Sequence, residues 1–144
     1  MKKLLITLSL VILHGAVMAD EPKTPIEKFR GQTQYQSLIC DLEAKLAFGK
    51  VDLGEIKTVY EPIGKCLNDG KLAVKTLFPK ALASAAKKPS SVKLLKDYYA
   101  AWLTAFNSIS PRADDRVVDY KSRQAIEESK VNAAWNRFEI EFEM

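Results

Sequence analysis

"SVKLLKDYYAAWLTAFNSI", residues 91–109, sets Leu95, Tyr98, Tyr99, Trp102, Leu103, Phe106 and Ile109 three or four positions apart. That period puts them on one side of an α-helix rather than alternating across a strand. So many large side chains on one face need partners, which makes this segment the core helix around which the rest is arranged. The loop "KKPSS" (87–91) precedes it, and Ser90 or Ser91 serves as its cap.

Downstream, "SISPRADD" (108–115) opens another helix. Ser110 caps it, Pro111 suits the first position, and Asp114 and Asp115 sit near the positive end of the dipole. It should run over residues 111–138 and bury Val117, Val131, Ala134, Trp135 and Phe138. Upstream, residues 71–87 carry Val74, Leu77, Phe78, Ala81, Leu82 and Ala85 at helical spacing, with Pro79 dividing the segment. "NDG" (68–70) ends the helix before it. That helix is capped by Asp52 and Glu55, kinked or broken at Pro62, and carries Leu53, Ile56, Val59, Tyr60, Ile63 and Leu67. Thr24, Pro25 and Glu27 form a capping box for the first helix, residues 25–48, which stops at Gly49. Its apolar face reads as Ile26, Phe29, Leu38, Ile39, Leu42 and Leu46. The expected fold is all-α, an antiparallel bundle of four to five helices.

The first residues give an address. "MKK" is a short basic start, Leu4 to Leu13 form an apolar run, and Val17-Met18-Ala19 is a small-residue cleavage pattern. The run is too short to cross a bilayer of about 30 Å. We therefore expect a cleaved signal peptide, residues 1–19, and a periplasmic or secreted single domain, residues 20–144, with no transmembrane segment. Removing the signal leaves 125 of 144 residues and, without Lys2 and Lys3, a net charge of +2. Such a weak field points to no nucleic-acid partner. His14, the only histidine, leaves with the signal. No Ser-His-Asp triad, Cys-His pair or histidine-based zinc site can then be built. We expect no catalytic residues, no metal and no cofactor.

Cys40 and Cys66, the only cysteines, lie on the first two predicted helices. An exported chain with two cysteines and no metal-binding partners pairs them, and C-x-x-C redox spacing is absent. Closing the loop between them stabilises the fold by about 3 to 3.5 kcal/mol. Measured from the turn, the cysteines are out of register by roughly 7 Å, a mismatch a kink at Pro62 could absorb.

Two short motifs invite a catalytic reading and fail it. "SAAK" (84–87) resembles the S-x-x-K of penicillin-recognising enzymes, but the companion S-D-N and K-T-G motifs are missing. "DDRVVD" (114–119) resembles the aspartate-rich, magnesium-binding motif of helical isoprenoid synthases without its second acidic motif. Acidic residues in a first helical turn already have a structural reason. A small hydrolase using paired carboxylates is a third, weaker reading.

Two segments hold more pattern than a core requires. Residues 71–96 carry seven lysines and no acidic residue, which is either a solvated face or a basic patch for an anionic surface, a lipid headgroup or an acidic protein. Lysine without arginine argues against geometric phosphate recognition. In "RFEIEFEM" (137–144), Phe138, Ile140, Phe142 and Met144 alternate with glutamates. This is either a helix end on which Phe138 and Phe142 share a face, or a strand offered to a partner's sheet edge. Lys80, Lys87, Lys88, Lys93 and Phe142 are accordingly the candidate partner contacts. The expected function is non-enzymatic protein binding, in the manner of an immunity protein or an inhibitor protecting the cell envelope. An envelope assembly or secretion accessory, including a chaperone-like role, is the alternative.

Overall fold

The computed structural model describes residues 23–51, 60–112 and 115–143. Among these residues the chain forms four helices and no strand: α1 (Pro25–Val51), α2 (Tyr60–Ala85), α3 (Pro89–Asn107) and α4 (Val117–Glu143). The expected signal, and the expected cap at Asp52 and Glu55, lie outside the described residues. Among the described residues there is no fifth helix, because the two helices expected on either side of "NDG" are one.

The reason is Gly70. It is buried in mid-α2, and a Cβ built there would meet Phe106 Cζ at 2.6 Å and Gln36 Oε1 at 3.0 Å. The glycine is a slot for the Phe106 ring rather than a stop. Asn68 and Asp69 face solvent, and Lys65 spans one turn to Asp69 at 2.6 Å, a pair that supports the helix. Pro79 does not divide α2 either; it is exposed, where water can serve the carbonyl that loses its donor. Pro62 falls in the first turn, where no intrahelical amide is needed, so it neither kinks nor breaks α2.

α1 starts as its sequence directs. Glu27 N donates to Thr24 Oγ1 at 3.2 Å and Thr24 N donates to Glu27 Oε2 at 2.6 Å, a reciprocal capping box. Its buried face starts as expected, at Ile26 and Phe29, and then departs from the expected leucines. Ile26, Phe29, Thr33, Cys40, Ala44 and Ala47 are buried, whereas Leu38, Leu42 and Leu46 are exposed. The disulfide sets that face. Cys40 and Cys66 are bonded with their Cα atoms 5.7 Å apart, so the side of α1 that carries Cys40 lies against α2. Ala44 and Ala47 share that side, and Leu38, Leu42 and Leu46 lie opposite it. Contacts along the pair join Phe29 with Phe78, Gln36 with Gly70 and Cys40 with Cys66.

α3 begins at Pro89, with Lys88 as an N-cap that makes no side-chain cap bond. Ser90 and Ser91 are therefore first-turn residues, not caps. α4 begins at Val117, six residues later than expected, and Asp115, just before it, is held by bonds from both sides. Arg112 N donates to Asp115 Oδ2 at 2.8 Å. Arg123 reaches back from α4 to hold both Asp115 oxygens, Nη1 to Oδ1 and Nη2 to Oδ2, each at 2.6 Å. This two-pronged bond, the strong form of an arginine–carboxylate pair, holds the Asp115 carboxyl down from 3.8 to about 2.

The core helix behaves as its stripe implies. Leu95, Tyr98, Trp102, Phe106 and Ile109 are buried. Aromatic rings then run continuously through the bundle: Phe29 meets Phe78 and Tyr98, Tyr98 meets Trp135, and Trp135 leads through Phe138 to Phe142.

Candidate functional site

The residues expected to meet a partner do not form one free patch. Lys80 and Lys87 are exposed. Lys93 pairs with Asp97 on its own helix at 2.9 Å. Lys88 is half-buried and donates to the backbone oxygens of Phe142, at 3.0 Å, and Glu141, at 3.5 Å. Phe142 is half-buried and stacks on Phe138 at 5.3 Å. The tail is thus the last turn of α4, helical through Glu143. Its glutamates oppose the dipole, and the Lys88 ammonium offsets them at the orphan carbonyls. Ser90 Oγ adds a 2.5 Å bond to Glu141 Oε1.

The concave feature lies elsewhere. α1 packs on α2 and α3 packs on α4, but the α1 and α4 backbones stay largely apart. Between them is an open cleft of about 420 Å³. Arg30, Gln34, Ser37, Leu38, Asp41 and Lys45 form the α1 wall, and Tyr120, Lys121, Gln124, Ala125, Glu128 and Asn132 form the α4 wall. Tyr98, Trp102 and Ala105 of α3, with Ile109 just beyond its end, make the floor. At 1.5 Å per residue, the α1 wall from Arg30 to Lys45 is about 22 Å long.

Side chains, not backbones, tie the two walls together. At one end the Arg30 guanidinium lies 4.6 Å from the centre of the Trp135 ring and 5.2 Å from that of Tyr98. At the other, Tyr120 OH donates to Asp41 Oδ1 at 3.0 Å, and Phe48 packs on the Tyr120 ring at 4.8 Å. The floor is pinned by Trp102 Nε1, which donates to Thr33 O at 3.1 Å and Ser37 Oγ at 3.0 Å.

Proton directions in this network follow from counting donors. Thr33 Oγ1 donates to Arg30 O at 2.7 Å, so in its 2.5 Å contact with Tyr98 the phenol is the donor. Arg30 Nη1 donates to that same phenol oxygen at 2.8 Å. Burial pushes the Tyr98 phenol up, against the pull of Arg30. Tyr120 is raised further, by burial first and then by the Asp41 carboxylate. Both phenols therefore stay protonated near neutral pH and act as hydrogen-bond donors. Asp41 has both oxygens engaged, by Tyr120 and by Lys45 at 2.5 Å.

The rims are different. Gln34 on α1 and Lys121, Glu128 and Asn132 on α4 are exposed, and among the described residues no side-chain hydrogen bond or ion pair ties them to the fold. Together they offer donors, acceptors and both signs of charge above an apolar floor. Such an arrangement can hold a polar chain with apolar side groups; nothing in it resembles an activated nucleophile. No group of three or more metal-ligating side chains occurs among the described residues. The cleft went unread in the sequence because its rows, Gln34, Ser37, Asp41, Lys45 and Lys121, Gln124, Glu128, Asn132, have the spacing of solvated helix faces. No protein-family model, curated protein or solved structure matches this chain.

Proposed function

We propose that the chain is an exported, periplasmic protein of antiparallel helices that works without catalysis, by binding another protein in the α1–α4 cleft. The observation that carries this is the cleft itself, with polar rims on both walls that the fold leaves unused. Walls about 22 Å long, with unused donors and acceptors along them, suit a segment of polypeptide laid between the helices. The Cys40–Cys66 bond supports an oxidising compartment. Within this class, the narrower role is that of an immunity protein or inhibitor that occupies an enzyme or toxin directed at the cell envelope.

The test is capture from an envelope extract with the oxidised protein as bait. Ala125→Arg and Asn132→Arg fill the cleft from exposed positions, so the fold should survive both. They should abolish capture of a protein that the parent retains, while Lys80→Glu with Lys87→Glu should not. Capture that survives both cleft substitutions and fails with the lysine pair would move the contact surface to α2.

A further inference from the structure

We propose that a second copy of the chain covers the outer face of α1. This goes beyond the cleft, which is a separate surface of the same helix. Tyr35, Leu38, Leu42 and Leu46 are 56, 58, 47 and 70% exposed, at spacings of three, four and four. They form one continuous apolar row on the side of α1 away from Cys40 and Ala44, and only Leu38 is shared with the cleft. An exposed leucine by itself means nothing. Four large apolar side chains in register on one helix leave on the order of 400 Å² of apolar surface in water, enough to mark an interface.

The order of the row selects the occupant. It is close to palindromic about its midpoint, between residues 40 and 41. Two α1 helices laid antiparallel across a two-fold axis therefore set Tyr35 against Leu46 and Leu38 against Leu42, twice over. A self-complementary patch of this kind is what a two-fold dimer needs, because the same surface is used on both sides. The charges beside the row do not oppose it: Asp41 and Lys45 of each chain neutralise one another at 2.5 Å, and Glu43, on the other flank, is half-buried and acts on Lys65 of α2. Doubling the apolar row and adding the polar residues beside it brings the buried total to roughly 1,200 Å², the lower bound of stable interfaces. Both clefts remain open, their α1 walls now backed by the partner helix.

Sedimentation equilibrium of the oxidised parent from micromolar to sub-millimolar concentration tests this. The parent should be a dimer, and Leu42→Glu and Leu46→Glu should each raise its dissociation constant about 30-fold or more. Circular dichroism should show parental helix content in both. Leu72→Glu, at an equally exposed position on α2 (64%), should leave the dimer unchanged. A parent that stays monomeric, a dimer indifferent to both α1 substitutions, or one weakened equally by Leu72→Glu would overturn the proposal. If envelope capture still responds to the cleft substitutions when the parent is monomeric, the binding function stands and only the dimer is lost.

Discussion

Tyr120 and Asp41, 79 positions apart, share a 3.0 Å hydrogen bond that joins α4 to α1 where the two backbones stay largely apart. The bond fixes the width of the cleft at one end. Replacing Tyr120 by phenylalanine should cost about 1 kcal/mol. It should also change the alkaline behaviour. The folded phenol is raised above 10 by burial and by Asp41, so its share of stability is full below pH 10. As pH rises further the unfolded chain releases this proton and the folded one does not, and stability falls. Denaturant melts from pH 8 to 11 should show that loss, smaller in Tyr120→Phe.

Glycines in three helical positions should respond in opposite directions. Gly70→Ala forces a methyl group against Phe106 and Gln36 and should destabilise by about 1 to 3 kcal/mol. Gly31 and Gly64 have nothing within 4 Å of a built Cβ. Alanine at either should stabilise by about 0.5 to 1 kcal/mol through helix propensity and a less free unfolded chain. Urea midpoints of the three variants check this directly.

The Asp115–Arg123 bond should be visible at acid pH. The Asp115 side chain is 6% exposed and that of Arg123 17%, so Asp115→Asn should cost about 2 kcal/mol at neutral pH. With the carboxyl lowered from 3.8 to about 2, its contribution is complete above the unfolded value and fades as pH falls through it towards 2. The difference between parent and Asp115→Asn, measured by thermal melts from pH 6 to 2, should therefore shrink on acidification.

The staple predicts a mass and a stability. The exported protein should begin at Asp20 and weigh two hydrogens less than its dithiol form. Reduction, or Cys66→Ala, should lower stability by about 2 to 5 kcal/mol. Intact-mass spectrometry and urea melts with and without reductant read both.

Much of the frame is written in local chemistry. Thr24 and Glu27 announce the start of α1, the stripe from Leu95 to Ile109 announces the core helix, and Cys40 with Cys66 announces which helices are joined. What escaped was set by close packing. Gly70 looks like a stop until Phe106 is placed over it, and Leu38, Leu42 and Leu46 look like core until the disulfide turns the face of Cys40, Ala44 and Ala47 towards α2. The tail likewise takes its conformation from Lys88 and Phe138 rather than from its own alternation. The cleft depends on two helices standing apart, which no single helix's pattern records.

Hydrogen–deuterium exchange of the oxidised protein, free and bound to the protein it captures, tests the central claim most directly. Binding in the cleft should slow exchange in residues 30–45 of α1 and 120–132 of α4, and leave residues 71–96 as in the free protein. Protection confined to residues 71–96, with both cleft walls unchanged, would contradict the account.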